Sequence, residues 1–399
     1  MTGLAPELAL KSPEDRRMVI RRSTMIALIA FLTLIDLFGS QALLPTLVET
    51  YGVTPAAMGF AVNASTIGMA LASLVVAIFA RSIDRKRGIW ICLALLSIPT
   101  MLLAQTSDLT TFTLLRILQG VFMSAAFTLT LTYLSEECSL TAVAGAMAAY
   151  ITGNVASNLF GRLLASGLAD NLGLAESFYG FALLNLAGAL VAYFYFGSTS
   201  GPRRQTEAEA GSVVEAWLDH LKNAKLVAMV AIGFILLFVF VATFTYANFI
   251  LFEPPFALPQ AAIGLVYFVF APAILTTPLA AGSVARFGAR TSFLAAIAAS
   301  ITGLLLLLTA SLVLFLIGLA LVGAGLFFAQ SVATAYVGRT ATHDHAAANG
   351  AYLASYYLGG IAGAFLIGQV FQMQGWSLSV LVLTALTALA GLLALKMGR

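Results

Sequence analysis

Charge is scarce in this chain. Asp, Glu, Lys and Arg together make up 9% of its 399 residues and hydrophobic residues 60%, too little polar surface to cover a soluble globule of this length. A polytopic membrane protein remains. Cysteine is confined to Cys92 and Cys138, which excludes a disulfide framework and a thiolate metal site. Histidine is confined to His220, His343 and His345; the last two flank Asp344 at a spacing that fits a solvated loop better than a metal site. No cofactor or metal is expected. A phosphate-cradling Gly-x-x-x-x-Gly-Lys loop is missing, and with it the means to hydrolyse ATP. The net charge of +3 is spread along loops rather than gathered in a patch, which argues against a nucleic-acid partner. No enzyme signature is left.

What is present is a series of apolar runs of roughly 18 to 25 residues, each able at about 1.5 Å per residue to cross a hydrocarbon core of about 30 Å. They cover 23–45, 58–80, 89–106, 111–134, 142–168 and 175–197, then 225–250, 262–282, 291–309, 312–335, 345–370 and 375–396. The most polar connection divides them evenly. The expected fold is an all-α membrane protein of twelve transmembrane helices in two six-helix bundles, 23–197 and 225–399, with 1–22 as an N-terminal segment and 198–224 as a linker. In that linker Val213, Val214, Trp217, Leu218 and Leu221 predict an amphipathic helix lying on the membrane surface.

Arg116 and Arg162 lie inside apolar runs, and every other Lys or Arg falls in the termini or in alternate loops that share their side. The opposite loops carry Glu49, Asp108, Asp170 and Glu253. By the positive-inside rule both termini are expected in the cytoplasm. Repetition supports the even division: Ala281 to Gly288 echoes Ala80 to Gly88, and Gly120 and Tyr133 recur as Gly323 and Tyr336. Two halves in parallel repeat are a transporter signature, with the substrate site near the midplane between them.

Chemistry is concentrated in the first half. Asp36 stands among residues that belong in hydrocarbon, and a charged group at that depth costs roughly 2.5–3.5 kcal/mol on insertion scales, which makes it a functional candidate. Arg116 is the expected partner: burial and a neighbouring guanidinium act in opposite senses on a carboxylate, as a proton-coupling site requires. Static pairing that only fixes helix packing is the alternative. Asn154, Asn158 and Arg162 share one helix face at i, i+4, i+8 and, with Asn63, are read as cavity residues or as packing glue. The second half offers no intramembrane charge; Phe240, Phe244, Tyr246, Tyr352 and Tyr356, with Gln330, are its candidate cavity lining. Asp84, Arg85 and Arg87 in the loop after the second run read as a conformational latch.

Several of these residues carry a family resemblance. Asp84-Arg85 and the basic residues after them resemble the loop motif of the major facilitator superfamily, and Arg116-Ile117-Leu118-Gln119-Gly120 resembles its Arg-x-x-Gln-Gly motif. Asp36 followed by Pro45 is similar to the pattern of its drug and sugar efflux branch, and Ala144 to Met147 with Gly161-Arg162 resembles an arabinose-efflux-like subgroup. Gly145, Gly153 and Gly161 in the fifth run depart from that branch in having no following proline. The resemblance implies a proton antiporter of the bacterial inner membrane, exporting a small organic compound by alternating access and working as a monomer. A uniporter or proton-symporting importer on the same fold is the alternative.

Overall fold

The computed structural model describes residues 13–79, 83–137, 140–196, 222–340 and 345–398, and among these every regular element is a helix. Ten stretches are long and apolar enough to cross a membrane. One of them, Gly350–Lys396, holds two crossings joined at Gly375, whose φ of +78° turns the chain. Leu140–Asn171 is another long apolar helix, and the crossings come to twelve. Cys138, His220, His343 and the surface helix expected around Trp217 lie outside the described residues.

Proline and side-chain caps set the breaks. The first span runs Pro13–Ala42 and resumes as Leu44–Tyr51; Pro45, in the first turn of the second piece, has no N–H to continue the ladder. The second is Pro55–Asn63 and Ser65–Phe79, opened by the Thr54 hydroxyl, which accepts the Ala57 N–H at 3.3 Å. The third is Arg85–Leu103, the fourth Leu109–Glu137, the fifth Leu140–Asn171, the sixth Leu174–Tyr195 and the seventh Ala224–Phe252. The eighth is kinked twice: Gln260–Val266, Ala271–Thr276 and Ala280–Phe287 are α-helical and are separated by 3-10 turns at Tyr267–Phe270 and Thr277–Leu279, with Pro272 just after the first turn and Pro278 inside the second.

Asp108 opens the fourth span. Its Oδ2 accepts the Thr111 backbone N–H at 2.7 Å, and that bond, helped by the Thr111 hydroxyl, holds its carboxyl below the usual carboxylate range. A depressed folded-state pKa contributes stability that is present above the unfolded value and lost as pH falls through the folded one. Asp108→Ala is expected to lower the thermal midpoint at neutral pH, and the gap from wild type should close as the pH drops below about 4. A gap that persists in acid would rule out the carboxylate as its cause.

The halves repeat each other's packing. In the first, the fifth span lies so close to the first that a Cβ on Gly153 would stand 2.0 Å from the Ala27 carbonyl oxygen; in the second, Gly359 stands in the same relation to Phe234. The two halves meet near the end that bears the acidic loops. There Asn63 Nδ2 donates to Thr245 Oγ1 at 3.1 Å and Asn248 Nδ2 to the Gln41 carbonyl at 2.9 Å, while Gly264 faces Ser166 and Gly368 faces Ala56. The seventh span is the most enclosed element of this junction, buried along almost its whole length.

Candidate functional site

Asp36 is fully buried inside the first half, enclosed by the third, fourth and sixth spans. Its Oδ2 accepts three neutral donors: Thr100 Oγ1 at 3.1 Å, Gln119 Nε2 at 3.1 Å and Asn185 Nδ2 at 3.2 Å. Its Oδ1 has no hydrogen-bond partner. The direct ion pair expected with Arg116 is not formed. Arg116 Nη1 donates instead to Gln119 Oε1 at 2.7 Å, so that one glutamine holds the guanidinium with its oxygen and the carboxylate with its nitrogen.

The reason lies in backbone proximity. A Cβ on Gly120 would stand 1.8 Å from the Ser65 carbonyl oxygen, and one on Gly68 would stand 1.9 Å from that of Ile117. Only paired glycines permit that approach. It brings Arg116 Nε to 2.8 Å from the Val62 carbonyl and Nη2 to 3.2 Å from Ser65 Oγ, near the hinge between the two pieces of the second span. The arginine is thus committed to neutral acceptors on three sides and reaches the acid through an amide.

Arg162 forms a second centre where the halves meet. It is fully buried; Nη2 donates to Gln41 Oε1, whereas Nε and Nη1 have no partner. Its guanidinium carbon lies 4.3 Å from the ring centroid of Tyr267, 5.1 Å from Phe270, 5.5 Å from Phe244 and 5.8 Å from Phe38, within cation–π range of all four. Gln41 continues the network by donating to Asn63 Oδ1 at 2.7 Å, and Tyr267 by donating to Asn248 Oδ1.

Of the residues singled out in the sequence, Asp36 and Arg116 share one cluster, and Asn63, Arg162 and Phe244 the other. Phe240 extends the aromatic set, with ring centroids 4.8 Å from Phe244, 5.1 Å from Phe327 and 6.5 Å from Phe38. Asn154 and Asn158 keep unpartnered amide atoms on the helix face that ends at Arg162. Tyr246 stands apart, its hydroxyl donating to the Ala364 carbonyl at 2.6 Å, with Gly59 and Gly368 against it. Tyr352 packs on Gly233 and lies 6.3 Å from the Tyr356 ring, and Gln330 is within hydrogen-bonding reach of the Tyr356 hydroxyl. In the loop, Asp84 Oδ1 accepts the Arg87 N–H at 2.7 Å as the cap of the third span, and Arg85 Nη1 donates to the Ile83 carbonyl at 2.6 Å.

Thr100, Asn185, Gln41, Asn248 and Tyr267 escaped the sequence reading as site residues. A lone amide in an apolar span was the signal for Asn185 and Asn248. Gln41, five residues after Asp36, was legible only as one more polar group on the same helix.

A model of the Major Facilitator Superfamily matches residues 26–273 and 249–398. The chain is 28% identical to the MFS-type transporter YybF of Bacillus subtilis, over 82% of this chain and 81% of that protein, and 29% identical to the inner membrane transport protein YnfM of Escherichia coli, over 86% and 82%. Its fold is similar to that of a point mutant of the nucleoside transporter NupG, with a TM-score of 0.75 at 15% identity, covering 96% of this chain and 100% of that one. Twelve membrane crossings, two packed halves that repeat one another and the matched family model agree: the chain belongs to the Major Facilitator Superfamily, as a membrane transporter and not an enzyme.

Proposed function

We propose that this transporter is a proton antiporter that exports a small organic compound across the bacterial inner membrane, with Asp36 and Arg116 as its coupling pair. One observation carries the reading: Asp36 is held by neutral donors on Oδ2 alone, and its free Oδ1 can take a proton without giving up a hydrogen bond. Protonation removes the charge to which Gln119 is bound on its amide side, and Gln119 is also the acceptor of Arg116. The change therefore passes to Val62 and Ser65, beside the Ala64 hinge of the second span, which is where a local charge event can bias a two-state element.

The moving units in this reading are 23–197 and 225–399, joined by 198–224, and a single copy holds the whole path between them. The basic loops and both termini face the cytoplasm, in keeping with the positive-inside rule, so the contact of Gln41, Asn63, Thr245 and Asn248 closes the periplasmic end. Asp84, Arg85 and Arg87 bias the rocking equilibrium from the cytoplasmic loop through the capped start of the third span. Substrate passes between the halves, along Asn63, Asn154, Asn158, Arg162, Phe240, Phe244, Tyr246, Gln330, Tyr352 and Tyr356.

The test is internal pH in proteoliposomes under an imposed proton gradient, comparing wild type with Asp36→Asn. Compounds that trigger proton movement in wild type are expected to trigger none in the variant, which keeps the amide donors' acceptor and the side-chain shape. Full proton-coupled flux in Asp36→Asn would sink the reading.

A further inference from the structure

Arg162 is a buried cation with no acid to answer it. Among the described residues it donates to the neutral oxygen of Gln41, with the Tyr267 hydroxyl also within hydrogen-bonding reach, and no Asp or Glu contacts it. An isolated buried ion is expensive unless something compensates it, and a guanidinium does not discard its proton. The surrounding rings contribute part of that compensation through their negative faces. They leave the N–H groups of Nε and Nη1 unmet.

The unmet donors are not alone. One turn away on the same face, Asn158 is fully buried with both Nδ2 and Oδ1 unpartnered, and one turn further Asn154 Oδ1 is unpartnered as well. Buried polar groups in native proteins are almost always satisfied. Three in line, ending at a positive charge between the two halves that no carboxylate answers, make a place with the donors and the field to hold an anion. The apolar part of the same place is defined by Phe38, Phe240 and Phe270. Asp36 does not supply the missing charge: its Oδ2 is engaged by Thr100, Gln119 and Asn185 within the first half.

We infer that the transported compound is an amphipathic organic anion, whose carboxylate is held by Arg162 and Asn158 and whose apolar body lies against the rings between the halves. This names a substrate class for the proposed transport path and rests on that path running between the halves. A cation of the same shape is repelled by Arg162, and a neutral alcohol leaves the guanidinium uncompensated.

Binding to the purified full-length protein in detergent is measured by calorimetry with three probes that share one ring system: naphthoate, naphthylmethanol and naphthylmethylammonium. The carboxylate is expected to bind at least about tenfold tighter than either analogue, Arg162→Gln to lose that preference, and Asp36→Asn to keep it. Because the last variant separates coupling from recognition, loss of proton flux in Asp36→Asn with no anion preference in wild type would defeat this inference and leave the antiport reading standing. Wild type that ignores the carboxylate, or binds the alcohol or the amine as well, overturns it, as does unchanged carboxylate binding in Arg162→Gln. If that variant is not monodisperse, the three-probe comparison on wild type decides.

Discussion

Arg116→Leu is expected to abolish the proposed proton-coupled transport and to destabilise the protein by about 3–5 kcal/mol, the scale on which removing one member of a buried charged cluster is felt. Leucine leaves the Val62 carbonyl, Ser65 Oγ and Gln119 Oε1 without their donor, each at about 1–3 kcal/mol for a buried polar group, against which the desolvation of the guanidinium is recovered. The Asp36 carboxyl is then left with no cation in its cluster, and Gln119 is free to turn. Arg116→Lys separates the two effects. An ammonium restores the charge but not the planar fork that meets three acceptors in different directions, so stability should partly return while flux does not. Thermal midpoints in detergent and vesicle pH traces report the two quantities independently. Wild-type flux in Arg116→Leu would remove the arginine from the coupling scheme.

The largest effect on the fold is expected at Gly120. A methyl group there meets the Ser65 carbonyl oxygen at 1.8 Å, and no side-chain rotamer relieves a contact with backbone. The fourth span must back away from the second, which breaks the reciprocal fit of Gly68 against Ile117 and pulls Arg116 from Val62 and Ser65. Overpacking that side chains can absorb costs about 1–3 kcal/mol; here it should reach about 4–5 kcal/mol, the range of exceptional single substitutions. Gly120→Ala is therefore expected to reach the membrane in low yield and to lose transport. Gly167→Ala is the control: nothing lies within 4 Å of a Cβ at that position, and its change should stay within about 0.5 kcal/mol. Equal behaviour of the two variants would mean that the spans pack less closely than described.

Much of this is legible in the amino-acid sequence. Apolar length marked the crossings, because hydrocarbon permits few other solutions, and the depth of Asp36 and Arg116 marked them as exceptional. Helical spacing placed Asn154, Asn158 and Arg162 on one face. The connection between Asp36 and Arg116 was not legible, since Coulomb's law favours direct contact and says nothing of an amide between. Gln119 was visible only as a letter in the motif; its role depends on the approach of Gly120 to Ser65, a relation between two helices that no local pattern encodes. The neutral donors Thr100 and Asn185 come from the third and sixth spans, and their convergence on Asp36 follows from bundle geometry alone. Tyr267 met Arg162 for a similar reason: it sits on the 3-10 turn that Pro272 closes, and the direction of that turn decides where its ring points.

The broken eighth span has a mechanical consequence. A continuous helix resists bending because each change of tilt strains a ladder of bonds, as in the seventh span, where the helix runs unbroken from Ala224 to Phe252. In the eighth the ladder is already interrupted at Tyr267–Phe270 and again at Thr277–Leu279, so its segments pivot at two fixed joints without loss of further bonds. Stiffness is thus unevenly distributed across the second half, with a rigid strut beside a jointed one. Tyr267 and Phe270, which grip the Arg162 guanidinium, ride on the first of those joints, so a few degrees of flexure there would open or close the ring cage while the strut beside it keeps its line.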